Sequence, residues 1–253
     1  MIFRQIVVAT AMLAGCLWIT GCVEDTTRTM AQDREGYLSR VFVPTALSSS
    51  VQEKLAQSTG KPPSFNKIVI KQKSTIKYVS TGATVDSTNE AFYLNAGNGL
   101  IRQIDIEYSN GIEANSSFAL TYRGAFPLMQ QTLNPADKIM PHMGQVKSIT
   151  SMDLSFDQPT LSLVYVYTSN APRARTLNRE IACGFTKTYP ASTLNASIQG
   201  AAREYACNFL NENGVVDYEA DYVYLQDYGV AIVKGQHTNK MKLTRDLVDF
   251  KVE

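Results

Sequence analysis

Histidine and tryptophan are nearly missing from these 253 residues, which hold two and one of them. His142 in KIMPHMGQ and His237 in KGQHTNK are far apart, and neither has the H-E-x-x-H spacing that brings two imidazoles to one helix face around a metal. No G-x-S-x-G element offers a nucleophile elbow, and no C-x-x-C offers a redox pair. S-x-x-K occurs three times, at 58–61, 64–67 and 74–77, without the S-D-N and K-T-G elements that accompany it in penicillin-binding enzymes. No cofactor and no enzyme activity are therefore expected. A cell-wall or lipid hydrolase is kept only as the weakest alternative.

An excess of either charge is also missing. Lys and Arg number 24 against 23 Asp and Glu, and removing residues 1–21 takes away Arg4 alone. A neutral body has no basic patch with which to hold phosphates, which excludes a nucleic-acid partner. Beyond the N-terminus no apolar run is long enough to span a bilayer as a helix.

The N-terminal run itself is about fourteen residues, from Ile6 to Ile19, without a charge and after a single Arg4. It falls short of the ~20 residues that cross a membrane. A basic start, a short apolar middle and small residues at the end make a secretory signal peptide. A buried core helix would show a polar face, and this run has none.

The run ends in LAGC (Leu13–Cys16) and ITGC (Ile19–Cys22). Both resemble the bacterial lipobox, in which an aliphatic and two small residues precede Cys. The resemblance implies cleavage before that Cys, with acyl chains on its thiol and new amino terminus. Two or more chains are needed, because one gives only marginal, reversible binding. Cys22 is favoured over the alternative, Cys16, on three grounds. Polar VEDTTRTMAQDREG follows Cys22, whereas cleavage at Cys16 would leave an apolar LWITG stub. A cut at Cys16 would also leave a signal of only fifteen residues, brief for the class. Finally, only cleavage at Cys22 leaves an even pair of thiols, Cys183 and Cys207. Cleavage there discards Trp18, so the mature protein is expected to lack tryptophan fluorescence. By resemblance to lipoproteins of two-membrane bacteria, Val23 in place of Asp implies the outer membrane. The expected partners are the membrane, through acyl chains, and other envelope proteins, with the body facing the periplasm or the cell surface.

The rest divides into a lipidated Cys, polar tether and short helix at 22–60, a β domain at 61–172, and a C-terminal β-meander at 173–253. One continuous domain is the alternative to the last two. Ser50 and Glu53 have capping-box spacing ahead of the helix, which Gly60, Pro62 and Pro63 stop. Period-two stretches then follow: KIVIKQ, TIKYVST, AFYLN, GLIRQIDIEYSNG, SSFALTYRG, SMDLSF and TLSLVYVYTS. Asn110-Gly111 is a strong hairpin signal. From Ala191 to Asn213 a helix would put Cys207 on the wet face. A strand from about Arg203 turns Tyr205, Cys207 and Phe209 inward, with one helical turn after Pro190. The fold class expected is mainly β, an antiparallel sandwich or open barrel with a C-terminal disulfide-braced meander and one or two short helices.

Cys183 and Cys207 lie in strand-like surroundings, and a disulfide is expected between them. Metal binding would need more ligands than stand nearby. Further on, one strand face carries Tyr218, Ala220, Tyr222 and Tyr224, the other Asp217, Glu219 and Asp221. The acids read as a solvated edge face. The tyrosines read as half-buried packing or as an interaction surface, since tyrosine is favoured at interfaces. The stretch from Cys183 through YLQDYG resembles the end of several uncharacterised Gram-negative lipoproteins, which implies location only. A non-enzymatic interaction or assembly module of the envelope leads. A lipoprotein binding a small molecule or glycan in an aromatic-lined pocket is the alternative.

Overall fold

The structure is a computed structural model that describes residues 26–253 except 59, 60 and 138. The expected signal peptide and both candidate lipidation sites, Cys16 and Cys22, lie outside the described residues. Three short helices come first: α1 (Thr27–Gln32), α2 (Arg34–Val41) and α3 (Ser49–Ala56). Twelve antiparallel strands follow: β1 (Lys67–Tyr78), β2 (Thr84–Gly97), β3 (Leu100–Ser109), β4 (Ile112–Tyr122), β5 (Phe126–Leu133) and β6 (Gly144–Asp153), then β7 (Thr160–Ser169), β8 (Leu177–Pro190), β9 (Ala201–Leu210), β10 (Val216–Leu225), β11 (Val230–His237) and β12 (Met241–Val252).

Each strand pairs with its sequence neighbours, and β12 returns to pair with β1, so the sheet is a closed barrel. That closure is the departure from the open barrel expected. The β1–β12 ladder runs from Ile68 opposite Val252 to Tyr78 opposite Met241, with a bulge at Lys71/Gln72. KIVIKQ and the TIKY of TIKYVST are therefore one strand, with the bulge inside the first stretch and Val79 onward in the turn. The expected boundary near residue 172 falls in the loop between β7 and β8, which pair with each other from Thr160–Gly184 to Tyr167–Leu177.

Hairpin chemistry explains the regular meander. Asn98-Gly99 and Asn110-Gly111 both hold positive φ, 52° then 76°, as a two-residue turn matched to strand twist requires. Two seams are thin. β5 meets β6 through Met129–Gln145 and Gln130–Gly144, and β11 meets β12 through Gly235–Thr244, Gln236–Leu243 and His237–Lys242. Between them the ring reads as two six-stranded halves, which is the sense in which a sandwich was legible.

Next to the turn that joins them, β10 and β11 are buried on both faces at 222–225 and 230–232, so these stretches read as unbroken apolar runs, YVYL and VAI. Ala220, Tyr222, Tyr224 and Ala231 join a large cluster with β3–β9, while Val223, Leu225, Val230 and Ile232 join a second with Ile68, Ile70, Tyr93 and Phe250.

The N-terminal segment corrects the tether. Met30, Tyr37, Leu38 and Phe42 are buried in the large cluster, and the Tyr37 and Phe42 rings pack on Phe118 at 5.3 and 6.4 Å. Their spacing is helical, but the stripe appears only when read through Phe42, past the polar residues up to Glu35. Asp33 closes α1 and caps α2, its carboxylate accepting from Gly36 N at 3.0 Å. Helix α3 is capped by Ser48, whose Oγ accepts from Val51 N at 3.4 Å, rather than by Ser50. Ser48 also donates to the Lys147 carbonyl at 2.8 Å, a tertiary bond that decides among three consecutive serines. After Pro190 the expected helical turn is a 3-10 turn at Ala191–Thr193, and the strand begins at Ala201.

Candidate functional site

Cys183 and Cys207 stand opposite each other in the β8–β9 ladder and are disulfide-bonded, with Cα atoms 3.9 Å apart. Tyr205, Cys207 and Phe209 are buried together, as the strand reading requires. The tyrosine face of β10 is not an outer surface. Tyr222 and Tyr224 are 6% and 5% exposed, and half-buried Tyr218 stacks on Phe209 at 4.2 Å. The ring area of three tyrosines is the largest apolar content of that strand, so it turns toward the core.

The acidic face is solvated, but β10 is paired on both sides and is no edge. Asp217 is bound by Arg179 and accepts from Asn211 at 3.0 Å; the Arg179 hydrogen bond holds its carboxyl below the usual range. Glu219 and Asp221 flank His237 at 3.8 Å each. His142 is exposed in the β5–β6 loop. Ser74 and Lys77, three apart on a strand, point to opposite faces and form no dyad.

Sequence reasoning missed a polar cluster within the barrel. The buried positions of β1 run Ile68, Ile70, Gln72, Ser74, and those of β2 run Tyr93, Ala91, Asn89, Ser87. Gln72 pairs with Asn89 and Ser74 with Ser87 across the ladder. Along β3 the same phase takes Ile101, Gln103 and Asp105. The period of the core thus continues while its chemistry turns polar, a signal readable in sequence once the phase is fixed. Asp105 is the centre. Gln103 donates to it, Asn89 Nδ2 donates at 3.4 Å and Arg245 Nη1 at 3.4 Å. Both ionic side chains are about five-sixths buried, at 17% and 16% exposed. Ser74 Oγ, Asn89 Oδ1 and Arg245 Nε are buried without a hydrogen-bond partner.

Arg245 also lines a cavity of about 370 Å³ beside the β11–β12 seam, with Lys234, His237 and Glu204. Burial pushes the Glu204 carboxyl up, but hydrogen bonds from Lys234 and Tyr189, each 2.6 Å, outweigh it and hold it below the usual range. Asp105 and Glu204 are each locked to a cation. Such pairs are poor agents of proton transfer and suit recognition or architecture.

Neither a family model nor a curated protein matches the chain. Among solved structures a DUF1329 family protein from Desulfovibrio piger is similar at a TM-score of 0.39 and 8% identity, covering 75% of this chain and 87% of that chain.

Proposed function

We propose that the chain is an outer-membrane lipoprotein, anchored by acyl chains on Cys22, whose barrel is a non-enzymatic interaction or assembly module of the cell envelope. The observation that carries the module reading is the tip of the β1–β2 hairpin. Tyr78, Val79 and Val85 are 41%, 62% and 42% exposed there, concentrated where isolated apolar residues would be ordinary. Lys77 and Lys242 pair beneath them, and Val79 N donates to Lys240 O at 2.8 Å, so a cationic margin surrounds the apolar tip. The disulfide supports an oxidising compartment.

Two experiments test this. Labelled palmitate should enter the protein and fail to enter Cys22→Ser; equal labelling of both would move the anchor. Crosslinking in cells should recover a discrete envelope protein, and Val79→Asp should reduce that product; recovery unaffected by the substitution would remove the tip from the reading.

A second reading, a lipoprotein that binds a small polar molecule or glycan, is favoured by the three unpartnered groups around Asp105 and Arg245. It predicts a copurifying small molecule, seen by native mass spectrometry, that Ser74→Ala with Asn89→Ala abolishes.

A further inference from the structure

The turn joining β4 to β5 departs from its two siblings. All three place a residue at φ 52° or 53° before a glycine at 76–79°, but Asn98 and Asn110 give way here to Arg123. Asn tolerates the left-handed region because its short polar side chain bonds locally, and a long Arg does so poorly. The backbone is nonetheless fixed. Arg123 N donates to Gly99 O and its carbonyl accepts from Ala231 N, both at 2.7 Å. A Cβ on Gly124 would stand 2.4 Å from Ala231 O, so only glycine fits there.

The side chain is 3% exposed. Its Nε donates to Tyr122 OH at 3.2 Å, and its Nη1 donates to Lys61 O at 2.6 Å and to Tyr224 OH at 3.2 Å. Every acceptor is neutral. Among the described residues the guanidinium makes no ion pair, and Nη2 makes no hydrogen bond. A buried cation without a counter-charge is costly, and Arg245 in the same barrel has Asp105. Arg123 instead lines a cavity of about 320 Å³ with Lys61, Ser155, Phe156, Asp157 and Tyr224. Phe156 and Tyr224 stack at 4.2 Å and 13°, an aromatic wall. Two cations and one carboxylate leave one net positive charge.

We infer that this cavity is a binding site for an organic monocarboxylate, with Arg123 and Ser155 taking the carboxylate and the Phe156–Tyr224 pair taking the attached hydrocarbon. The site is separate from the Asp105 cluster and does not depend on the module reading. A guanidinium gives charge-assisted hydrogen bonds to a carboxylate, and the net charge matches a monoanion better than a dianion beside Asp157.

The full protein, titrated calorimetrically with benzoate, acetate, benzamide and inorganic phosphate, tests the site. Benzoate should bind, with benzamide at least about tenfold weaker because it lacks the charge. Arg123→Asn suits the turn, as Asn98 and Asn110 show, so it should fold and lose about tenfold or more in benzoate affinity. Asp157→Asn, which removes a like charge, should tighten benzoate severalfold. Undiminished binding by Arg123→Asn, equal binding of benzamide, or phosphate binding more tightly than benzoate would each overturn the inference. Should Arg123→Asn fail to fold by circular dichroism, Asp157→Asn and Ser155→Ala decide, and unchanged affinity in both would overturn it.

Discussion

Tyr165 on β7 is 8% exposed, and burial pushes its hydroxyl up to about 12. Burial drives Tyr218 and Tyr222 the same way. In the unfolded chain a tyrosine releases its proton near 10. Above that pH the unfolded state holds fewer protons than the folded one, so stability falls as pH rises. The slope is about 1.4 kcal/mol per pH unit for each such tyrosine, continuing for Tyr165 until about 12. Urea midpoints at pH 9, 10 and 11 should fall progressively, and Tyr165→Phe should flatten the decline; identical slopes would refute the assignment. A neighbouring hydroxyl acts through hydrogen bonding instead. Tyr205 OH donates to Phe156 O at 2.5 Å and lies 2.9 Å from Gln158 O, so Tyr205→Phe should cost about 1–3 kcal/mol in denaturant unfolding. Period two put Tyr218, Tyr222 and Tyr224 on one face in the sequence, but not which face is wet. That is set by strands far away in the chain, and here the face is buried.

The elements differ in how plainly they were written. Strands and Asn-Gly turns carry local signals, a period of two and residues that accept positive φ, so most of their places were legible, but β5 and β12 were not read and β6 was caught only at its end. Helix α3 was legible too, from its serines and from the glycine and prolines that stop it, but α1 and α2 were not, since six and eight residues hold too little pattern and their stability comes from docking. Leu38 shows the dependence, being fully buried on α2. Leu38→Ala should lower stability by about 2–5 kcal/mol in thermal or urea unfolding, whereas a free tether would register no change. The disulfide works through the unfolded chain. It closes a separation of 24 residues, and removing it with Cys183→Ala and Cys207→Ala should cost about 3.5 kcal/mol in the chain-entropy treatment. Equal unfolding midpoints with and without reductant would contradict that.

Across the whole molecule the thin seams set where the ring yields. The amides of Gly235–His237, joined to β12 by three residue pairs, should exchange with deuterium before those of β1, whose ladder to β12 spans its length. Slower exchange at Gly235–His237 than in β1 would place the weak point elsewhere. Closure was not legible because nothing local in KIVIKQ or in the final strand records that they are partners. The polar cluster around Asp105 was missed for the same reason, since its members come from β1, β2, β3 and β12 and converge only once the ring shuts. Arg123 was hidden differently, in a turn whose residues look ordinary until φ is known.

The pairing of first strand with twelfth also sets a timetable. A chain delivered from its amino end presents β1 with one open edge through the emergence of ten further strands, and the ring can lock only when the last has arrived. Such long-range pairing is slow, and an unmatched edge invites foreign strands. Newly made copies therefore pass through an adhesive adolescence, in which a chaperone or a swift final segment separates maturation from aggregation.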